Sequence, residues 1–277
     1  MTRIGVHWHG KRPHGMRIAH YRTWDSDLLA TSFDLVLARV RGASIFYTID
    51  GDYFGKAPGA TTPDLFTFTT YATALVQKYG QHIDVISPFN EQLGNLYKTP
   101  DQIAYHAQCG TALKAICRQY SPLTQVATGW CCPVEGAAGA PALVEWLKNA
   151  SPADFDFLEF HAYGNYDGFT RFPKAVNGVT APNYYPDPTY SEQGVRPWLA
   201  AQGWNQPIII SESCVQNLLQ MPTERDMRDA LMLWHRVMNE AGIHTTYLYA
   251  LDNPQFSNIL AYPAMVDLVQ QMMDGII

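Results

Sequence analysis

The sequence predicts an α/β protein, a (β/α)8 (TIM) barrel in which eight parallel strands form a ring and helices cover its outside. Short β-like runs alternate with amphipathic helical stretches along all 277 residues, as they do in α/β folds. No GxGxxG or GxxxxGKS/T phosphate loop follows any predicted strand, which disfavours the alternative, a doubly wound open sheet. With 47% hydrophobic residues, the chain can bury a large core, and residues 1–277 are expected to form a single domain.

Eight short β-like runs, which alternate with helical stretches, are predicted as strands. In chain order they are 3–7, 16–21, 43–49, 83–88, 125–128, 155–161, 207–211 and 245–250. Only residues 10–15 separate the first two strands, which is too few for a covering helix. The first βα unit is therefore expected to be reduced, with a loop in place of its helix.

The stretches between later strands repeat apolar residues at three and four positions, the spacing typical of helices with one buried face. The clearest are 64–79, 99–120, 142–149 and 223–241. Pro100 and Asp101 follow Thr99, and Glu224 follows Thr223, where the first turn of a helix favours proline and acidic residues.

Residues 164–203 form the one long stretch without clear periodicity, and they are rich in aromatic residues, proline, glycine and asparagine. Long loops inside compact domains usually serve function. Because this stretch follows the sixth strand, we expect it to fold over the active-site face. Its aromatic rings either stack on a ligand or pack together to stabilise a surface loop that binds none. The sequence favours neither interpretation.

Composition argues against several partners and cofactors. The net charge of −6 comes without a block of like charge, so no surface for a nucleic-acid backbone is predicted. No apolar run approaches the roughly 20 residues that a membrane-spanning helix needs. The five cysteines lack CxxC spacing, and neither a zinc site nor a disulfide framework is expected, nor any other cofactor.

The N-terminus enters a predicted strand at once, without the charged start, apolar stretch and cleavage site of a signal peptide. We therefore expect a cytoplasmic or phage-associated protein, unless a signal has been removed.

Two glutamates stand where strands end. Glu91 follows the fourth predicted strand and Glu212 follows the seventh. In TIM barrels these strand ends meet at the active-site face, and partial burial there tunes a carboxyl group for acid/base chemistry. Cleavage of a glycosidic bond with retention needs two carboxyl groups about 5–5.5 Å apart. Asn90 would offer its amide to a sugar 2-hydroxyl. An ion pair or a helix cap is the alternative role for each glutamate.

Asn90-Glu91 after the fourth strand and Glu212 after the seventh resemble the catalytic pair of clan A of the glycoside hydrolases. Within that clan the chain looks most similar to family 39 and its bacterial exopolysaccharide-hydrolase relatives. That likeness is carried by Arg22-Thr23-Trp24-Asp25-Ser26, followed by Ser32-Phe33-Asp34 and Phe46-Tyr47-Thr48. The resemblance implies a retaining hydrolase that cleaves O-glycosidic bonds of an oligo- or polysaccharide in two displacements. It also implies that Glu91 is the general acid/base and Glu212 the nucleophile.

Further residues follow from the same resemblance. His161 and Tyr163 match the clan's His-x-Tyr after strand six and would position Glu212 by hydrogen bonding, whereas Arg22 would keep Glu212 ionised. A packed barrel histidine and a structural ion pair are the alternatives. The remaining predicted substrate-binding residues lie near strand ends: Trp8, His9, Trp24, Asp25, Trp130 and Tyr249. For Trp8, His9 and Trp130, packing is an equal alternative. Many clan members have a tryptophan at the end of strand eight, which this chain lacks, and Tyr249 or Asp252 would take part of its role.

Two other functions remain open. His7-x-His9, with His161 and Asp252, resembles part of the metal site of amidohydrolase barrels. The strand-five histidine and the strand-four lysine of such sites are missing from this sequence. The other alternative is a carbohydrate-binding barrel that has lost catalysis.

Overall fold

Eight parallel strands form the centre of the protein in a computed structural model. The structure describes residues 1–7, 16–24, 42–49, 64–90, 93, 97–130, 139–164, 173, 176–177, 194–215, 223–249 and 259–277. The strands are β1 (Arg3–His7), β2 (His20–Trp24), β3 (Ser44–Thr48), β4 (Val85–Ser87), β5 (Gln125–Val126), β6 (Leu158–Gly164), β7 (Ile208–Val215) and β8 (Thr245–Tyr249). Their order in the sheet is β5-β4-β3-β2-β1-β8-β7-β6, so the first and last strands of the chain are neighbours.

The sheet curls until its two outer strands meet. The carbonyl of Val126 accepts hydrogen bonds from the backbone N–H groups of Asp156 and Phe157, at 2.8 and 3.3 Å. The N–H of Thr128 donates to the carbonyl of Phe157 at 3.2 Å, and Ala127 forms a parallel bridge with Phe157. These bonds join the end of β5 to the start of β6 and close the ring. The predicted (β/α)8 barrel is confirmed.

Within the described residues, six α-helices lie between or after the strands. They are α1 (Leu65–Tyr79), α2 (Pro100–Tyr120), α3 (Gly139–Leu147), α4 (Val195–Ala200), α5 (Glu224–Glu240) and α6 (Pro263–Met273), with short 3-10 turns at Gly80–His82, Pro152–Asp154 and Ile259–Ala261. No helix of the described segments is both long and apolar enough to cross a bilayer.

The predicted helix starts are confirmed by side-chain caps, which satisfy backbone N–H groups that the helix itself leaves without an acceptor. The Asp64 side chain accepts from the N–H of Thr67 before α1. Thr99 and Gln102 form a reciprocal capping box before α2. Thr223 accepts from the N–H of Asp226 before α5.

The second strand does not begin where the sequence predicts. Residues 16–19 are not in a strand, and β2 starts at His20, which pairs with Ser44 of β3. Met16 and Ile18 are buried, and that burial accounts for the apolar pattern. The N–H of Arg17 donates to the side chain of Gln270 on α6, so this segment packs against the last helix before it enters the barrel.

The interior of the barrel has an apolar layer with polar groups above it. The apolar layer consists of Phe46, Val85, Ala127, Phe157, Ile209 and Tyr247. The Arg22 guanidinium lies over the Phe46 ring, 5.6 Å from its centroid, and other buried polar side chains share that level with it. The polar level is where the strand ends meet and where the candidate site lies.

Two predictions about connections fall on residues that the structure does not describe. The reduced first βα unit, at residues 10–15, lies outside the described residues. So does most of the predicted long loop at 164–203, although its last part contains α4.

Candidate active site

Glu212 of β7 lies at the polar level of the barrel interior with 3% of its surface exposed. Its Oε1 accepts a hydrogen bond from Nη1 of Arg22 at 2.5 Å. Its Oε2 accepts one from the hydroxyl of Tyr163 and lies 3.6 Å from Nδ1 of His161. Both carboxylate oxygens therefore have partners that fix the direction of the side chain.

A β-bulge explains how Glu212 comes to face inward. Phe160 of β6 pairs with Ile210, but the next residue, His161, pairs with Glu212, so β7 carries one extra residue at Ser211. Side chains of a regular strand alternate between the two faces, and a bulge re-aims the residues that follow it. Because of the extra residue, Glu212 lies on the same side of the sheet as His161.

Arg22 of β2 connects the ends of four strands. It is fully buried, and besides Glu212 its guanidinium donates to Oδ1 of Asn90 from Nη2 at 2.7 Å. Nη1 also lies 3.5 Å from Nδ1 of His7 on β1. Burial alone would lower the pKa of Arg22, but its ion pair and hydrogen bond with Glu212 lead the opposing effects, and the pKa is raised. A guanidinium serves two acceptors at once because its N–H groups form a rigid planar fork.

Asn90 links the fourth strand to this network. It is half-buried, three residues beyond the end of β4, and its bond to Arg22 brings that strand end close to Glu212. Glu91, the predicted acid/base, follows Asn90 directly in the sequence and lies outside the described residues.

Two half-buried tyrosines lie beside the carboxylate. Tyr163 makes edge-to-face contacts with His161 and Tyr249, with ring centroids 6.3 and 6.2 Å apart. Tyr249 makes a further edge contact with His7 at 5.0 Å. The two tyrosine rings therefore pack against the histidines around Glu212, and part of each tyrosine stays exposed.

Glu159 is a second buried carboxyl group, which the sequence analysis missed. It is 1% exposed, and its Oε2 accepts from the N–H of Gly129 at 3.0 Å. Burial raises its pKa, against the opposing effects of Arg22, Ser211, His161 and Ser87. The alternation of β6 could have revealed it, because Glu159 stands two residues before His161 and therefore shares its face.

Trp130 packs inside the protein. It is 1% exposed and contacts three large rings: Trp146 at 4.9 Å, Phe160 at 6.0 Å and Trp204 at 5.6 Å between centroids. This environment favours the packing alternative over contact with a substrate.

The other predicted subsite residues fall at or beyond the limits of the described segments. Trp24 is the last residue of β2 and pairs through its backbone with Thr48. Trp8, His9 and Asp25 lie outside the described residues.

Among the described residues, no group of three or more His, Cys, Asp and Glu side chains is arranged to hold a metal ion. His9 and Asp252, which the metal-site alternative requires, are not among those residues. Cys109, Cys117 and Cys214 are buried, and none of these three is in a disulfide. Burial raises the pKa of Cys117 to about 12, which keeps this thiol protonated and unreactive.

No protein-family model matches the sequence, and no curated protein matches it significantly. Solved structures do match. A glucosidase from Croceicoccus marinus superposes with a TM-score of 0.66 at 15% identity, over 93% of this chain and 60% of the glucosidase. A family 44 endoglucanase from Clostridium acetobutylium gives 0.60 at 11% identity, over 98% and 75%. A GH5-4 broad-specificity endoglucanase from Clostridium cellulovorans gives 0.57 at 11% identity, over 99% and 94%.

These similarities establish that the chain has the barrel fold found in glycoside hydrolases. The chain spans 60% of the length of the Croceicoccus glucosidase. The two endoglucanases are of families 44 and 5, so the closer resemblance to family 39 stays a prediction.

Proposed function

We propose that this protein is a retaining glycoside hydrolase in which Glu212 is the nucleophile and Glu91 the general acid/base. One observation carries the proposal: a buried carboxyl group within β7, just after its bulge, is held by Arg22 and by the Tyr163 hydroxyl. The same guanidinium holds Asn90, the residue that precedes Glu91. A nucleophile needs such fixed orientation, because reaction rates fall steeply when the attacking atom is misplaced.

In the first displacement, an oxygen of Glu212 forms a bond to the anomeric carbon while the bond from that carbon to the leaving oxygen breaks. Glu91 gives its proton to the leaving oxygen. In the second displacement, Glu91 takes a proton from water as the water oxygen bonds to the anomeric carbon and Glu212 departs. The two inversions together retain the configuration of the sugar.

Arg22 and Tyr163 also prepare Glu212 for departure. The two hydrogen bonds, one to each oxygen, can be kept by the carboxylate that attacks and by the one that leaves. Asn90 would contact the sugar 2-hydroxyl, a bond that strengthens as positive charge develops on the ring. Its amide nitrogen suits this role because Arg22 already engages its oxygen.

The substrate class is an oligo- or polysaccharide. The half-buried rings of Tyr163 and Tyr249 present flat faces of the kind on which sugars stack. A glucosidase and two endoglucanases are among the structural neighbours, so gluco-configured substrates are the first to test.

The metal-dependent alternative fits the described residues less well. The positive guanidinium of Arg22 lies 3.5 Å from Nδ1 of His7, one of the four residues around which the cation would have to bind. Like charges close together in a buried site repel strongly. Metal analysis of the purified protein separates the two functions, and turnover of any glycan removes the inactive-barrel alternative.

Azide rescue on nitrophenyl glycosides tests the two roles. Glu212→Ala is expected to abolish turnover even with an activated leaving group, because no covalent intermediate can form. Glu91→Ala is expected to spare the first step, since a phenolate leaves without a proton, and to slow the second. With a β-linked substrate, azide should give a β-glycosyl azide from Glu91→Ala and the α-product from Glu212→Ala.

Glu145→Ala is the matched control, because Glu145 pairs with Lys148 on the surface of α3. It should behave as the native protein does. Native activity in Glu212→Ala, or an exchange of the two azide products, would show that the roles are assigned wrongly.

A further inference from the structure

Glu159 joins the ends of two strands beneath the candidate site. Its Oε2 accepts from the backbone N–H of Gly129, just beyond β5, and its own N–H donates to Oγ1 of Thr128 at 2.9 Å. The side chain lies one strand position below His161, on the face of β6 that also carries Tyr163. The contacts of Glu159 therefore connect β6 to the turn that follows β5.

That turn packs tightly on the end of β4. Gly129 has φ +70°, a left-handed conformation that side chains rarely adopt, and a Cβ placed there would lie 3.0 Å from the Pro88 ring. Pro88 stands two residues before Asn90. A shift of the Gly129 turn would thus press on the segment that carries Asn90 toward Arg22.

The surroundings of Glu159 disfavour a second negative charge. The groups facing it are Arg22 from β2, Ser87 from β4, His161 from β6, Ser211 from β7 and Tyr247 from β8. Among these, Arg22 carries the permanent positive charge, and its bonds already go to Glu212 and Asn90. Burial in these surroundings raises the pKa of Glu159, which favours the neutral acid.

We propose that Glu159 is a positioning residue that, as a protonated acid, holds the Gly129 turn and through it the Asn90 segment in place against Glu212. A protonated Glu159 leaves the charge of Arg22 to Glu212. It can still accept from Gly129, because only one carboxyl oxygen carries the proton. The catalytic part of this inference rests on the proposed function, whereas the structural part does not.

Two substitutions separate the role of the acceptor from that of the charge. Glu159→Gln keeps an oxygen for Gly129 and a neutral side chain of the same shape, so it should retain most of the native kcat. Glu159→Leu removes the acceptor and is expected to lower kcat by about 10²-fold through misplacement of the reacting groups, with KM changed much less.

Thr124→Val is the matched control. Thr124 is buried at the opposite end of β5, where its hydroxyl contacts the carbonyls of Gly80 and Ile83 at 3.0 Å. Its loss should lower stability to a similar degree as Glu159→Leu and leave kcat unchanged. A merely structural Glu159 would behave as Thr124 does.

Nuclear magnetic resonance supplies readouts that need no substrate. With ¹³C-labelled glutamate, the native protein at neutral pH should show protonated carboxyl signals, one of which persists in Glu91→Ala and is missing in Glu159→Gln. The Gly129 backbone amide and the Asn90 side-chain amide should shift in Glu159→Leu and stay near their native positions in Thr124→Val. If Glu159→Leu does not fold, the native and Glu159→Gln spectra still decide the protonation state.

The inference is overturned if the native protein at neutral pH lacks a protonated carboxyl signal that disappears in Glu159→Gln, if Glu159→Gln loses as much activity as Glu159→Leu, or if Glu159→Leu leaves both amide signals unchanged. Failure of the native protein to hydrolyse any glycoside would contradict the proposed function alone, because the spectra test Glu159 independently.

Discussion

Arg22 is the residue on which the geometry of the site depends most. It bonds to Glu212 and Asn90, contacts His7 and lies over Phe46, and it does so without exposure to solvent. A buried cation of this kind organises its acceptors, but its removal leaves buried charge behind.

Replacement of Arg22 by Met should therefore cost more stability than its lost contacts suggest. We expect the free energy of unfolding to fall by about 3–5 kcal/mol, because the Glu212 carboxylate would remain buried without its cation. The double variant Arg22→Met/Glu212→Gln should recover part of this loss. Denaturant unfolding of the native protein, both single variants and the double variant measures the coupling, and strictly additive effects would show that the two residues do not form an energetic pair.

At the residue scale, the sequence predicted which side chains gather at the site better than it predicted what surrounds them. Arg22, Asn90, His161, Tyr163 and Glu212 lie together because parallel strands bring their ends to one face. The extra residue of the β7 bulge is not visible in the sequence. The sequence also does not predict which groups bond to a buried side chain. Gly129, for example, donates to the carboxyl group of Glu159 from a segment that is distant in the sequence.

Among the elements, α2 and α3 are joined by a buried histidine. His106 of α2 is fully buried, and its Nδ1 accepts from Nε1 of Trp146 on α3 at 2.9 Å. Burial lowers the pKa of His106 from 6.5 to about 3. The helix pair is therefore held by a histidine that must stay neutral.

This histidine should make the protein less stable in mild acid. Below pH 6.5 the unfolded chain binds a proton at His106 that the folded protein does not, so the free energy of unfolding falls as the pH drops toward the folded pKa of about 3. His106→Gln keeps an acceptor for Trp146 without titrating. Between pH 6 and pH 4 the free energy of unfolding should fall less steeply in the variant than in the native protein. The two slopes should differ by about 1.4 kcal/mol per pH unit. Urea unfolding across this range checks the slopes, and parallel slopes would count against the neutral histidine.

Element boundaries show where sequence patterns succeed and where they fail. Helix starts at Leu65, Pro100 and Glu224 follow from local chemistry, because a capping side chain acts on residues two or three positions away. The start of β2 does not follow from local chemistry, because Met16 and Ile18 are buried although they are not in a strand. An apolar pattern in the sequence does not distinguish a packed segment from a paired strand.

At the scale of the whole molecule, the alternation of strands and helices was sufficient to predict the barrel. Such alternation admits few topologies, since each parallel pair needs a crossover and the crossovers share one hand. The same pattern places the ends of β2, β4, β6 and β7 on one rim. The barrel alone does not establish an activity, because this fold hosts many chemistries.

The central claim is that Glu212 forms a covalent bond to the sugar, and trapping that bond tests it most directly. The native protein would be incubated with 2-deoxy-2-fluoro glycosides that carry a dinitrophenolate leaving group, in gluco, manno and xylo configurations. The fluorine slows both displacements while the activated leaving group speeds the first, so the intermediate accumulates. Mass spectrometry should then find one fluoroglycosyl group on the peptide that contains Glu212, and none on the Glu212→Gln protein. A label on another residue, or hydrolysis that releases the inverted sugar without any covalent species, would contradict the account.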